Sequence, residues 1–258
     1  MDSQLLQESD LEKMKEVSDP METKTRKAEV AHKIIETGEN LLNVVWSKAD
    51  EWRAASLEII ARTAYTAEES ACHYLETIGL DRKGNIRETL ELARYQDTNE
   101  QTHEDIFARD LNGLKNWGDR FLARHIAVII YWAFAIITLI DHELAALLGE
   151  AVEVEAVKTY RRMLVEQSDE WLNQPAVPTA VHYWNKPNSM WKVRGDNQPV
   201  SMRDVVESIV KDEADHVHAN SQKAVAFWLD SCNDCYQGSQ TDAHTQDHCS
   251  LRELKQAR

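Results

Sequence analysis

The sequence contains few residues that break helices. It has 8 Gly and 5 Pro among 258 residues, and four of the five Pro lie between residues 174 and 199. Hydrophobic residues make up 43% of the chain and charged residues 28%. Because a sheet protein of this size needs many tight turns, the composition favours one mainly helical domain. We therefore expect an all-α fold without a sheet.

Basic residues and cysteines are also scarce. The chain has 29 Lys and Arg against 44 Asp and Glu, which gives a net charge of −15. A nucleic-acid-binding surface needs positive charge to neutralise phosphates, so we exclude nucleic acid as a partner. The 4 Cys are too few and too clustered for a disulfide scaffold. Cys232, Cys235 and Cys249, with His244 and His248, offer zinc-ligand types, but their spacing matches no standard finger.

No apolar run reaches the ~20 residues that a helix needs to cross a bilayer. The longest run, IAVIIYWAFAIITLI, covers residues 126–140 and is bounded by charged residues. We interpret it as a buried or membrane-interface helix. The first 20 residues are acidic and lack an apolar core, so they are typical of neither a secretory signal nor an organelle transit peptide. We accordingly expect no signal or transit peptide in this chain.

The rest of the chain divides into long helical segments. We predict a charged helical leader over residues 1–46, a helical-bundle domain over 47–230 and a polar, flexible tail over 231–258. The apolar periodicity and the turn-forming residues predict helices over about 48–78, 86–111, 117–140, 143–172 and 201–229. Gly149 indicates a break in the fourth helix, and Ser201 is a candidate N-cap of the last. Residues 174–199 are predicted to be an irregular crossover.

The sequence contains three Glu-x-x-His turns, a spacing that places both side chains on one helix face. These turns are Glu29/His32, Glu100/His103 and Glu213/His216. With 25 Glu and 10 His in the chain, a single such turn can arise by chance. The first lies in the charged leader, and we interpret it as a surface coincidence. The other two lie within long predicted helices.

Two isolated Glu residues complete a pattern that is typical of two-metal helical bundles. Such a bundle takes a Glu-x-x-His turn from each of two helices and a single Glu from each of two others. Glu58 lies in the apolar stretch ASLEIIA, and Glu153 lies between Val152 and Val154. Either Glu alone would be interpreted as a partly exposed residue of an amphipathic helix. The chain order Glu, Glu-x-x-His, Glu, Glu-x-x-His predicts one shared site whose carboxylate oxygens suit iron.

The motifs around these residues resemble those of the alternative oxidase family, which are membrane-bound di-iron quinol oxidases. The resemblance is carried by RAASLEIIA at 53–61, NEQTH at 99–103, VEVEAVKTY at 152–160, AVHYW at 180–184, RDVV at 203–206 and DEADH at 212–216. Within the family, WGDRFLARHIAV at 117–128 is most similar to the plastid terminal oxidase branch. The resemblance implies a ferritin-like four-helix-bundle di-iron core with additional short and amphipathic helices.

The resemblance also implies roles for individual residues. Two iron ions would be held by Glu58, Glu100, His103, Glu153, Glu213 and His216. Tyr160 would be a redox-active tyrosine, and Asn99, Asp212 and Trp184 would hydrogen-bond around the site. Arg53 and Leu57 would line the quinol pocket. Asp215, beside the last ligand turn, is predicted to be solvated.

The implied activity is that of a quinol:oxygen oxidoreductase, which oxidises plastoquinol or ubiquinol and reduces oxygen to water. Because quinol is lipid-soluble, the resemblance implies monotopic attachment to a thylakoid, plasma or inner organelle membrane. It also implies a homodimer. Two other interpretations stay open from the residues themselves. One is another di-iron carboxylate protein, such as a hydroxylase, and the other is an iron-storage or purely structural helical bundle.

Overall fold

The computed structural model describes residues 25–45, 48, 50–80, 85–185 and 198–239. The helices are α1 Arg26–Val45, α2 Glu51–Thr77, α3 Asn85–Glu104, α4 Trp117–Ile140, α5 His142–Glu166, α6 Asp169–Leu172, α7 Pro178–Trp184 and α8 Met202–Ser239. Within these residues the β structure is limited to an isolated antiparallel bridge between Pro175 and Ser201. The prediction of an all-α fold is confirmed.

Four long helices form the central bundle. In this bundle α2 packs along α3, and α5 packs along α8. Helix α4 covers the outer side of α2, and α1 packs against α5. The inward face of α2 carries small side chains, which allow the neighbouring helices to approach closely. These buried residues are Ala54, Ala55, Ala61, Ala64, Ala67 and Ala71.

Two buried apolar clusters lie along the bundle, with a polar layer between them. The first includes Phe107, Trp184 and the start of α8 around Val206. The second includes Phe134 and Leu148 together with small side chains of α1, α2 and α5. The predicted ligands on α2 and α5 fall between the segments that contribute to these clusters. The two apolar clusters therefore flank the layer of the bundle that holds the predicted ligands.

The predicted break at Gly149 is wrong, because α5 is continuous from His142 to Glu166. Gly149 packs closely against α8 instead: a Cβ at this position would make a tight contact of 3.1 Å with Nδ2 of Asn220. The predicted helix end at residue 172 is also wrong. Gln167 is extended after α5, and Ser168 then caps the short helix α6 by accepting a hydrogen bond from the Trp171 backbone.

Other boundaries differ from the predictions. Helix α3 closes with a π-helical turn over Asp105–Asp110, a feature that has no clear sequence signature. The predicted irregular crossover contains α7, which begins at Pro178, while residues 186–197 lie outside the described part of the chain. Helix α8 continues past the predicted end at Leu229.

The predicted N-cap at Ser201 is confirmed. Its Oγ accepts a hydrogen bond from the Asp204 backbone N–H at 3.2 Å. Asp204 Oδ2 accepts in return from the Ser201 backbone N–H at 2.9 Å. This reciprocal pair is a capping box, which fixes the point at which α8 begins.

Parts of the predicted leader and tail lie outside the described residues. This applies to residues 1–24 and 240–258, which include His244, His248 and Cys249. In the described part of the leader, α1 packs along α5. The domain boundaries at residues 46 and 230 stay predictions.

Helix α4 has the bounds predicted for it, Trp117 to Ile140, and so extends beyond the apolar run at 126–140. It begins at Trp117 and has 24 residues, so by length and composition it could cross a membrane. Length alone therefore does not exclude a membrane span. One face, with Ala123, Ala127 and Phe134, is buried against the bundle. The opposite face exposes large apolar side chains, among them Val128, Ile129, Trp132, Ile136 and Ile140.

Candidate metal centre

The structure brings the six predicted ligands together inside the bundle. They are supplied by all four central helices: Glu58 by α2, Glu100 and His103 by α3, Glu153 by α5, and Glu213 and His216 by α8. None of the six is more than 2% exposed. Periodicity explains this, since each Glu-x-x-His turn presents both side chains on the inward face of its helix.

The ligand atoms form two overlapping groups, each able to hold one metal ion. Glu58 and His103 belong to one group, and Glu153 and His216 belong to the other. Glu100 and Glu213 belong to both, and the ligand atoms within each group lie within 4.8 Å of one another. The arrangement is therefore two adjacent ion positions that share two carboxylates, with one imidazole and one further carboxylate for each ion.

Both imidazoles direct Nδ1 at the carboxylates. His103 Nδ1 lies 3.0 Å from Glu213 Oε1 and 3.7 Å from Glu58 Oε2. His216 Nδ1 lies 3.0 Å from Glu100 Oε1 and 3.6 Å from Glu213 Oε2. The ligand atom offered by each histidine is therefore Nδ1, which leaves Nε2 on the outer side of the site.

The two unshared carboxylates each keep one oxygen available for a metal. Tyr160 donates a hydrogen bond to Glu58 Oε1, and Tyr65 donates one to Glu153 Oε1. Oε2 of Glu58 and Oε2 of Glu153 have no hydrogen-bond partner among the described residues. Buried charges without compensation cost several kcal/mol each, and two bound cations would provide that compensation. Hard oxygens with one imidazole per ion are a donor set that iron and manganese accept. The residues present fit two such ions.

Without a cation the site holds protons. Burial, together with neighbouring carboxylates, raises the pKa of Glu58 and of Glu153 well above its usual value. Burial alone would lower the pKa of His216, but its carboxylate hydrogen bonds outweigh this and raise the pKa to about 9. Burial would likewise lower the pKa of His103, but its hydrogen bonds with Asp212 and Glu213 outweigh this and raise the pKa well above its usual value. Burial would raise the pKa of Glu213, but its hydrogen bonds with the two imidazoles lower it.

Tyr160 lies against the site as the sequence predicted. It is 1% exposed, and its ring stacks on Phe107 with centroids 5.6 Å apart. Burial and the adjacent Glu58 raise the pKa of its phenol well above the usual value, so the hydroxyl is neutral and donates. Its contact with Glu58 fixes the orientation of a predicted ligand.

Asn99, Asp212 and Trp184 lie on the outer side of His103. Asn99 Nδ2 donates to Asp212 Oδ2 at 3.0 Å and to the Tyr183 hydroxyl at 2.8 Å. Asp212 Oδ2 lies 3.5 Å from His103 Nε2, where it favours the proton on Nε2 and so leaves Nδ1 free to bind a metal. The Trp184 ring lies 6.4 Å from the His103 ring. Asp215, predicted to be solvated, is exposed.

Two residues at the site were not among those predicted. Besides its bond to Glu153, the hydroxyl of Tyr65 accepts a hydrogen bond from Asn220 Nδ2 at 3.0 Å. Tyr65 lies seven residues after Glu58, and Asn220 lies seven residues after Glu213. Seven residues are two helical turns, so this spacing was the available signal.

Arg53 and Leu57 do not line the cavity that the described residues form between α2 and α4. Arg53 is fully buried, with its guanidinium bonded to Asn43 at 3.0 Å and to Glu39, so it ties α1 to α2. Leu57 is partly exposed. A cavity of about 360 Å³ between α2 and α4 is lined by other residues, namely Ile59, Arg62, Thr63, Thr66, Glu104, Arg124, Ala127 and Val128.

A helical bundle with these six converging side chains defines the class of two-metal carboxylate proteins. The sequence model of the alternative oxidase family matches residues 8–224, and the chain belongs to this family. It is 30% identical over 169 residues to ubiquinol oxidase 4, chloroplastic/chromoplastic, of Arabidopsis thaliana. The match covers 62% of this chain and 47% of that relative, so the chain spans about half the relative's length. The predicted family is confirmed, and a chloroplastic relative agrees with the predicted branch.

Proposed function

We propose that the protein is a quinol:oxygen oxidoreductase that oxidises quinol and reduces oxygen to water at two iron ions. The main support for this proposal is the pair of candidate ligand groups that share Glu100 and Glu213, in a chain of the alternative oxidase family. The name of the Arabidopsis relative, a ubiquinol oxidase, supports the same activity. Two quinols supply the four electrons that one oxygen molecule needs to become two water molecules.

The ions, when bound, would supply oxygen binding and the sharing of electrons between two adjacent metals. The protein's own part is to position the side chains that would bind the ions. Tyr160 and Tyr65 each hold one oxygen of an unshared carboxylate, and Asp212 orients His103. We assign Tyr160 as the redox-active side chain, because it is the buried phenol in contact with Glu58. Such outer contacts typically change metal affinity or activity 10–100-fold, by order of magnitude.

We propose that quinol reaches the centre from the side of α2. Leu57 directly precedes the ligand Glu58, and Arg53 lies about one turn earlier on the same helix. The cavity between α2 and α4 offers a second approach, since its lining residue Ile59 directly follows Glu58. Replacing Leu57 with Ala should raise KM for quinol more than replacing Ile59 with Ala if the first approach is used.

We further propose that the protein attaches to one leaflet of a membrane through α4 and functions as a homodimer. One face of α4 is held by the bundle, and the opposite face exposes apolar side chains. Large exposed apolar patches on a protein mark interaction surfaces. A lipid-soluble quinol would then enter from the bilayer directly beside α2.

The proposal is tested by oxygen uptake of iron-loaded protein with reduced plastoquinone and reduced ubiquinone analogues. We expect two quinols oxidised per oxygen consumed, with no hydroxylated product. Glu213→Ala should abolish uptake, whereas Asp215→Ala, an exposed acid two residues away, should leave it unchanged. Hydroxylated product would indicate the hydroxylase alternative. Wild-type protein that oxidises no quinol would contradict the proposal.

A further inference from the structure

A second set of buried polar side chains continues from the metal centre toward the C-terminal end of α2. We call this set the polar row, and none of its members is more than 8% exposed. Its members are Tyr65, Glu68, Gln96, Glu150, Asn220 and Lys223. They lie on the inward faces of the same four helices that supply the ligands. An interior of this kind is unusual, because apolar residues would fill it at lower cost.

The polar row begins at a ligand of the metal centre. Tyr65 donates to Glu153 and accepts from Asn220 at 3.0 Å. Three residues further along α2 and α8, Lys223 Nζ lies 2.8 Å from both oxygens of Glu68. Three residues correspond to about 4.5 Å along a helix, so the ion pair lies one layer beyond the Tyr65–Asn220 pair.

Polar atoms in the polar row lack partners. Both amide atoms of Gln96 and Oδ1 of Asn220 are buried without a hydrogen bond to any described residue. The register of α3 against α2 locates Gln96: its neighbour Asp97 accepts from Thr66 at 2.6 Å. Gln96 therefore lies at the level of Tyr65, one layer from the metal centre. Buried amide groups of this kind are normally satisfied by bound water.

The far end of the polar row reaches the protein surface at the start of α5. His142 stacks on Phe227 of α8 with ring centroids 5.0 Å apart, and Phe227 lies one helical turn after Lys223, so the ion pair lies near this half-buried ring. His142 follows Asp141, which pairs with the exposed Lys27 at 2.8 Å. Along α2, Glu68 and Arg53 lie on opposite sides of Glu58, so this exit is at the opposite end from the proposed quinol side.

We propose that the polar row is a hydrated path through which the metal centre exchanges protons with solvent. The inference rests on the proposed function. The balance per oxygen is four protons entering at the centre from solvent and four released by two quinols, so that two waters form and net proton uptake is zero. Gln96, Asn220 and bound water provide the hydrogen-bonded connection, and the Glu68–Lys223 pair provides the charged station before the exit.

The double variant Glu68→Leu/Lys223→Met tests the path. It removes both charges at similar volume and leaves no buried charge unpaired, so the fold is expected to be retained. We expect two irons bound and an unchanged KM for quinol. When chemically reduced, quinol-free enzyme is mixed with oxygen, its reoxidation should slow by at least about ten-fold and show a larger solvent deuterium isotope effect. The matched control is Glu69→Leu/Arg94→Met, an exposed ion pair at 2.9 Å beside the first, which should leave both quantities unchanged.

The outcomes separate the two proposals. Active wild type with a double variant of unchanged rate overturns the path and leaves the proposed function standing. A slower variant without an isotope effect assigns a structural role to the ion pair and also overturns the path. Wild type that oxidises no quinol overturns the function. Independently of activity, a crystal structure of the wild type should show ordered water on the Gln96 amide and on Asn220 Oδ1, and their absence would overturn the path.

Discussion

The exposed apolar side chains of α4 allow the strength of membrane binding to be predicted. Ile129 is 68% exposed, Trp132 is 61% exposed and Ile136 is 51% exposed. Complete burial of a large apolar side chain is worth about 1.5–3 kcal/mol, so each of these exposed fractions corresponds to about 1–2 kcal/mol. Together they contribute roughly 3–5 kcal/mol to transfer into a bilayer, and each 1.4 kcal/mol is tenfold in affinity. The triple variant Ile129→Ser/Trp132→Ser/Ile136→Ser should therefore bind vesicles at least roughly a hundred-fold more weakly.

The assay is sedimentation with phosphatidylcholine vesicles at physiological salt, with circular dichroism to establish that the helices remain. A matched control removes three exposed apolar side chains elsewhere: Tyr74 on α2, Tyr95 on α3 and Val165 on α5. Their replacement by Ser should leave vesicle binding unchanged. Wild-type affinity in the α4 variant, or an equal loss in the control, would refute the assignment of α4 as the membrane surface.

Three further predictions concern metal binding and two glycines. Because the pKa of His216 is raised to about 9 and that of His103 is also raised, both imidazoles are protonated at neutral pH and must lose protons to bind metal. Calorimetry with Mn²⁺ in two buffers should show proton release that diminishes as the pH rises through 9, and an enthalpy independent of the buffer would contradict this. Gly149→Ala should lower the free energy of unfolding by about 1 kcal/mol, since displacing Asn220 outweighs the helix propensity gained. Gly38→Ala, with open space around it, should instead stabilise by about 1 kcal/mol, as thermal denaturation can measure.

The candidate metal ligands on α3 and α8 could be predicted because their pattern is local. A Glu and a His three residues apart on a helix lie on the same face. The relative position of the two side chains is therefore known before the fold is known. Glu58 and Glu153 could not be predicted from local spacing, because a single Glu on a helix has no sequence signature of its own. They became predictable only through the order of the four contributions along the chain.

The contacts between helices could not be predicted in the same way. Tyr65 and Asn220 are 155 residues apart in sequence, and neither residue type is unusual on a helix. Arg53 meets Glu39 of α1, so its guanidinium is buried in an ion pair between two helices. Glycine is a residue type that often interrupts a helix, yet Gly149 lies within a continuous helix and leaves room for Asn220. In each case the residue makes its contact with a side chain of another helix. The periodicity of one helix does not show which residue of another helix it will meet.

We expect Glu100 and Glu213 to lie between two ions and to be ligands of both. Anomalous diffraction at the iron edge, from crystals of iron-loaded protein, tests it directly. We predict two iron peaks, one beside Glu58 and His103 and one beside Glu153 and His216, with both shared carboxylates in contact with each. A single peak, or iron located outside these residues, would contradict the account.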